Sequence, residues 1–327
     1  MKTMKNISMA LFAIAMLLPV SCNKMLDNKQ HGSYPPDTFY KTDEEAEEAL
    51  AAVYAYYSNS GTYYNIWFLK NLLSDDFWSG GGNRSDNAEN ERLNEYTFNA
   101  EHPYLVAAFQ NFYGVIYRSN LILDYVPDES AVQKQVRAEA RVWRAFVYID
   151  LISMWGTPPL VDHILTPSEY KQPNGKPAEL WALVETDLTE AISSNALREK
   201  AGAGDNSSYR ITKQFAQALL GKAYVFQEKW QQAITVLDEV IASGKYTLLP
   251  GNDYENILQY TRENNSESMF ELNSLDDPNN AVMSLYAAMT GWRSEKMTLA
   301  PEYDIYNGTW GFCNPQKELY DAFVAEE

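Results

Sequence analysis

Residues 211–245 read ITKQFAQALLGKAYVFQEKWQQAITVLDEVIASGK, and this stretch decides the fold. Its periodicity predicts two antiparallel helices with a tight turn near Lys229. Thr212 stands where a hydroxyl can cap the first helix. Gly244 stands just past the end of the second, where a left-handed residue stops a helix without steric cost. Phe215, Leu219 and Phe226 fall on one face of the first helix, and Ile234, Leu237 and Ile241 on one face of the second. Ala216, Ala218, Gly221, Ala223 and Ala233 are small enough to let the two helices approach closely. A lone helix pair cannot bury its own apolar faces, so partner helices must come from elsewhere in the chain.

Working upstream, the same logic finds them. Thr42 and Glu45 form a capping box for a helix over 43–58, with Ala46, Leu50, Val53 and Tyr57 as its apolar stripe. The apolar stretch 63–73 continues as helix. Pro103 suits the first turn of a helix over 103–126 whose buried side carries Phe109, Phe112, Ile116 and Leu123. Ser130 can cap a helix over 131–155, which Gly156 and Pro158-Pro159 stop. Residues 162–176 are irregular. Pro177 opens a helix to about 193, with Leu180, Val184, Leu188 and Ile192 on one face. Residues 201–208 read as a flexible connection. Downstream of Gly244 the periodicity fades. Residues 246–249 and 269–272 are candidate strands, and 281–290 a candidate short helix.

The chain has 327 residues, of which 46% are hydrophobic and 13% aromatic, enough for one large core. Its formal charge is −18, and loss of Lys2 and Lys5 would make it more negative. That surface repels nucleic acid and anionic headgroups, so nucleic-acid binding is excluded as a partner class. Twenty-three tyrosines offer apolar faces with polar tips, which suit packed helices and wet binding surfaces alike.

The N-terminus is an address. Lys2 and Lys5 precede an apolar run over 7–20, too short for a membrane span. Leu18-Pro19-Val20-Ser21-Cys22 resembles a bacterial lipobox, with Pro19 in the slot that Leu usually holds. The reading is a signal peptide over 1–21, lipidation at Cys22 and an acylated tether over 22–42. Cys313 is then left without a partner.

The hairpin carries Leu220-Gly221-x-x-Tyr224 followed by Ala233-x-x-x-Leu237, which resembles a tetratricopeptide repeat (TPR). It departs at the leading Trp, which is Gln217 here, and at the closing Pro. A longer stretch runs from Ala138-Glu139-Ala140-Arg141-Val142-Trp143-Arg144-Ala145-Phe146 through Tyr148, Asp150 and Leu151. It ends at Trp155-Gly156-x-Pro158-Pro159-Leu160-Val161. It resembles the signature of the SusD/RagB family of outer-membrane nutrient-binding lipoproteins. Arg118-Ser119-Asn120, Arg210-Ile211-Thr212-Lys213, the stretch from Asn264-Asn265 to Phe270-Glu271, and Pro315-x-x-Glu318-Leu319-Tyr320-Asp321-Ala322-Phe323 stand in the family's order. The resemblance implies a mainly α fold built on TPR-type helix pairs, with long irregular loops and a few short strands. It implies one domain over 43–327: a helical scaffold over 43–244 and a loop-rich, ligand-binding part over 245–327. A further C-terminal portion of the fold is expected beyond. It also implies a surface lipoprotein that binds oligosaccharide or polysaccharide and delivers it to a TonB-dependent β-barrel. A peptide-binding RagB-like uptake protein and a TPR scaffold lipoprotein binding only proteins are the alternatives. Within the signature, Ala140, Trp143, Val147 and Leu151 share a face and read as scaffold, with Arg141, Arg144 and Asp150 free to make local polar pairs.

A sugar site needs an aromatic platform beside hydrogen-bonding side chains. Residues 74–90, SDDFWSGGGNRSDNAEN, read as a long exposed loop offering Trp78 with Asp75, Asp76, Asn83, Arg84 and Asp86. Tyr286, Trp292, Arg293 and Trp310 form a second zone in Gly-bearing polar surroundings. Trp143, Trp155, Trp181 and Trp230 read as core. His31, His102 and His163 show no metal-ligand spacing, and no nucleophile elbow, H-E-x-x-H or P-loop occurs, so neither a catalytic residue nor a cofactor is expected. Asp75-Asp76 could suggest a glycosidase pair, but adjacent acids on a Gly-rich loop more often fix the loop. Cys313 reads as an inert thiol.

Overall fold

The computed structural model describes residues 38–58, 60–202, 209–251, 257, 263–273, 286–291, 293 and 309–324. The signal and lipidation residues, the 203–208 connection, residues 281–285 and Trp292 lie outside them.

The described elements are α1 (Asp43–Tyr57), α2 (Ser60–Leu72), β1 (Phe77–Gly80), α3 (Ala88–Asn94), α4 (Pro103–Tyr125) and α5 (Ala131–Trp155). They continue as α6 (Pro177–Ser193), α7 (Lys213–Phe226), α8 (Trp230–Ala242), α9 (Tyr286–Thr290), β2 (Phe312–Pro315) and α10 (Lys317–Val324). Helices α4 to α8 pack each against the next, while α1 lies on α4 and α5, and α2 on α4. The fold is mainly α, as the resemblance implied.

The caps expected from sequence are formed. Thr42 and Glu45 make a reciprocal capping box on α1, and Ser130 and Gln133 make one on α5. Thr212 caps α7, and Gly244 follows α8 with φ +62°. Gly221 is required by packing: a Cβ there would lie 2.5 Å from the Leu237 side chain, so only glycine lets α7 and α8 close up. The core is continuous from Ala46, Leu50 and Val53 on α1 through Phe112 and Ile116 on α4 and Trp143 and Val147 on α5. It continues through Leu180, Val184 and Leu188 on α6 to Leu219 and Leu220 on α7.

The polar residues of the signature pair across helices rather than locally. Arg144 donates from Nε and Nη2 to Asp187 on α6 at 2.7 and 2.8 Å, and from Nη1 to Asn120 Oδ1 on α4 and the Asp162 carbonyl. Asn120 in turn donates to the Val161 and His163 carbonyls. Asp150 receives Lys70 Nζ from α2 at 2.8 Å. The fully buried Glu139 accepts from Tyr54, Gln135 and Arg210, and Arg210 also reaches Glu47. Buried Lys200 donates to the Asn265 and Ser268 carbonyls. Segments far apart in sequence are thus joined by bonds that satisfy otherwise costly buried charges.

Several expectations are corrected. Residues 74–90 are not a structureless loop: they hold β1 and the start of α3, which Asn87 caps. Residues 246–249 and 269–272 are not strands. Thr247 N–H meets the Ser266 carbonyl, but the Leu249 and Asn264 N–H groups go to the Glu267 and Glu271 carboxylates, which replace a ladder. The helix expected over 281–290 is seen as α9 over its last turn. Trp143 is core and Trp155 and Trp181 are half-buried, but Trp230 is 57% exposed, because it opens α8 on its outward side. Phe226, Ile234 and Ile241 are also exposed. Of the expected α8 face, Leu237 packs against the core, and the buried positions beside it are Ala233 and Val236.

Candidate ligand-binding site

The site is built around a short ribbon that joins two remote parts of the chain. β1 pairs antiparallel with β2, with Phe77 opposite Pro315, Trp78 opposite Asn314 and Gly80 opposite Phe312. Gly81 N–H extends the pairing to the Gly311 carbonyl at 2.7 Å. The run Gly80-Gly81-Gly82 is what this closeness requires. A Cβ on Gly80 would sit 2.3 Å from the Gly311 carbonyl oxygen, one on Gly81 2.6 Å from the Phe312 ring, and one on Gly82 3.1 Å from the Arg293 guanidinium. Gly80 and Gly81 also have φ of +69° and +81°, a region other residues rarely enter.

The turn after the glycines is tied by its own side chains. Asn83 accepts from Ser85 N–H at 2.9 Å, and Asp86 Oδ2 accepts from Gly82 N–H at 2.7 Å. Asp86 then receives Arg293 Nη1 at 2.6 Å. Trp310 is held by its N–H to the Ala288 carbonyl on α9. Helix α2 presents Tyr64, which packs edge-on against Phe68, Tyr104 and Trp310, the last at 6.5 Å between ring centroids. Burial pushes the Tyr64 phenol well above the ordinary tyrosine range, so its hydroxyl stays protonated.

Tyr64, Asp86, Asn87, Arg293, Trp310 and Phe312 enclose a pocket of about 320 Å³. Three aromatic rings stand beside one carboxylate, one amide and one guanidinium. Rings can take the apolar face of a pyranose while the polar groups exchange hydrogen bonds with its hydroxyls. Among the described residues that line it, Asp86 is the one carboxylate.

Of the sequence candidates, the structure brings Arg293 and Trp310 into this pocket, with Asp86 from the same glycine-rich segment. Tyr286 lies on α9, edge-on to Trp67 at 5.6 Å, outside the lining. Trp78 is 43% exposed on the ribbon and does not line the pocket. Asp75 and Asp76 are exposed, and Asp76 offers its carbonyl to Gln316 N–H. Arg84 is exposed and ion-paired with Glu95. Tyr64, Asn87 and Phe312 were not singled out from sequence. Tyr64 sits in a stretch read only as helix, Asn87 caps α3 inside the segment read as a loop, and Phe312 opens β2, a strand not expected from sequence. Cys313 follows with φ +55°, buried, its thiol pushed up to about 12 by burial.

Residues 24–225 match a SusD-like family model described as starch-binding and associating with the outer membrane. The chain belongs to the SusD-like family. A SusD-like protein of Formosa agariphila, P38, is 28% identical over 252 residues, covering 76% of this chain and 48% of its own length. A solved structure named as a laminarin-binding SusD-like protein superposes with TM-score 0.74 at 29% identity, over 88% of this chain and 65% of that one. Surface glycan-binding protein A from Bacteroides uniformis superposes with TM-score 0.71 at 25% identity, over 86% and 61%. This SusD-like chain spans about half the length of the curated relatives it matches.

A second groove, of about 400 Å³, runs between α6 and α8 over α7, lined by Ile192, Leu220, Tyr224, Gln232, Thr235 and Val236 among others. It is the larger space, yet Tyr224 is the only ring on its walls and Glu239 its only charge. Such a groove is what an array of helix pairs leaves along its inner side.

Proposed function

We propose that this SusD-like chain captures an oligosaccharide or polysaccharide in the pocket lined by Tyr64, Trp310 and Phe312 and delivers it to a TonB-dependent β-barrel. The observation that carries the reading is the cluster of three rings, Tyr64, Trp310 and Phe312, beside Asp86, Asn87 and Arg293 in one pocket. The family's starch-binding description and the name of the laminarin-binding structural relative support it. Binding, rather than bond cleavage, is the role.

Acylation at Cys22 would hold the protein on the outer membrane, facing outward, with 22–42 as tether. Several acyl chains, each contributing about 0.8 kcal/mol per buried methylene, would make that attachment firm. The exposed Phe226, Trp230, Ile234 and Ile241 on α7 and α8 support a protein contact at that end of the scaffold. The transporter is the partner we assign to it.

Affinity electrophoresis against a panel of polysaccharides tests the reading. Retardation by at least one glycan is expected. Migration unchanged by every glycan, together with binding of peptides, would replace it with the RagB-like alternative.

A further inference from the structure

Behind the Tyr64 hydroxyl stands a hydrogen-bonded trio whose direction the backbone of α3 fixes. Asn87 caps α3 with its side-chain oxygen, which accepts the Glu89 and Asn90 N–H groups at 3.1 Å each. Turning the amide over would set its NH2 against those two donors, so the NH2 points away from α3. It donates to the Tyr104 hydroxyl at 3.2 Å. The Tyr104 and Tyr64 hydroxyls lie 3.3 Å apart and share a hydrogen bond. Tyr104 is held from outside the pocket: its ring stacks on Phe68 at 5.9 Å, and its N–H donates to His102 Nδ1 at 3.3 Å. Two hydroxyls that share one hydrogen bond have one proton to spare. Asn87 already fills an accepting site on Tyr104, and a hydroxyl that accepts is polarised to donate in turn. Passing the Tyr104 proton to Tyr64 leaves the Tyr64 proton as the spare one. Tyr64 is the member of the pair that lines the pocket, alongside Asn87. The reverse order would spend the Tyr64 proton on a hydroxyl that already accepts one, and leave the spare proton on Tyr104.

We propose that Asn87 and Tyr104 are positioning residues that make Tyr64 a hydrogen-bond donor to the glycan, so that the pocket takes a sugar oxygen as acceptor at Tyr64. Tyr104 reaches the sugar only through Tyr64. This rests on the reading of the pocket as a glycan site.

The test is isothermal titration with laminarin and with soluble starch of wild type, Tyr64→Phe, Tyr104→Phe and the double variant, with Trp310→Ala as the control for the pocket. Phenylalanine keeps each ring and its packing and removes the hydroxyl. Tyr64→Phe should lose about two- to tenfold in affinity, the size of one neutral hydrogen bond. Tyr104→Phe should lose at least about twofold, and nothing further where Tyr64→Phe is already present. A relay through Tyr64 requires that non-additivity, whereas loosened packing would lower affinity in both backgrounds. Equal losses from Tyr104→Phe in the two backgrounds, or none in either, with Trp310→Ala abolishing binding, would leave the pocket standing and overturn the positioning role. Neither glucan binding to wild type, or binding untouched by Trp310→Ala, would overturn the pocket and the role together. Asn87→Asp decides the matter if Tyr104→Phe does not fold. It keeps an oxygen to cap α3 and removes the NH2 that donates to Tyr104, so it should lose at least about twofold, and full affinity there would overturn the role.

Discussion

Gly81→Ala is the substitution that most sharply links the glycine run to the pocket. Two costs are readable from the structure. Gly81 has φ +81°, where a Cβ costs about 1–2 kcal/mol. The new methyl would also lie 2.6 Å from the Phe312 ring and 3.0 Å from Asp86 Oδ2, an overpacking of about 1–3 kcal/mol. The sum is about 2–5 kcal/mol. Gly156→Ala is the internal control. Gly156 has φ +73° and ψ −59° but nothing within 4 Å of its would-be Cβ, so only a backbone cost of about 1–3 kcal/mol applies. Urea unfolding followed by tryptophan fluorescence gives both numbers, and titration with the preferred glycan gives the second readout. Gly81→Ala should be the more destabilised and should lose affinity, because the clash moves two pocket residues. Gly156→Ala should bind normally. Equal destabilisation with unchanged affinity in both would refute the claim that the glycines shape the site.

Further outcomes follow from the scaffold and its titrating groups. Asp187→Ala leaves buried Arg144 without its carboxylate and should cost about 3–5 kcal/mol in urea unfolding, largely recovered when Arg144→Met is added; a loss below about 1 kcal/mol would contradict the pairing. In a Cys22→Ser chain, Cys313 should resist thiol reagents at pH 8 and react only on unfolding, because burial pushes its thiol up to about 12. Rapid labelling of the folded chain would show otherwise. His163 is raised above its ordinary value chiefly by its hydrogen bond to Asp162, aided by Glu169, which Thr166 and His163 hold at about 2. A raised histidine stabilises the fold below its unfolded pKa and loses that contribution as pH rises through the folded value. His163→Gln should therefore lower the urea midpoint slightly at pH 5 and not at pH 9, a small effect because the group is half exposed. An equal deficit at both pH values would assign the loss to packing instead.

The helical scaffold was legible because its information is local. Thr42 with Glu45, Ser130, Pro103, Pro177 and Thr212 mark helix starts by chemistry that acts within one turn, and the apolar stripes repeat at helical spacing. The polar pairs were less legible. Arg144 could be seen to need a partner, but Asp187 lies on the next helix, and helical spacing cannot report a contact between helices. The pocket was least legible. Arg293, Trp310 and Asp86 are the right residue types, yet Tyr64 lies more than two hundred positions from Arg293, and only the β1–β2 pairing brings their surroundings together. Trp78 looked the best platform because it is isolated among glycines. Those glycines instead serve the approach of β2 and Arg293. On α8 the expected face was right at Leu237, which meets Gly221, and wrong at Ile234 and Ile241, which face outward while Ala233 and Val236 are buried.

The Tyr64–Trp310 pocket, and not the Trp78 surface of the ribbon, is the proposed glycan site. Isothermal titration of wild type, Trp310→Ala and Trp78→Ala with one glycan that retards the wild-type chain tests it directly. Trp310→Ala should lose at least about tenfold in affinity, while Trp78→Ala should stay within about twofold. Full affinity in Trp310→Ala with loss in Trp78→Ala would contradict it.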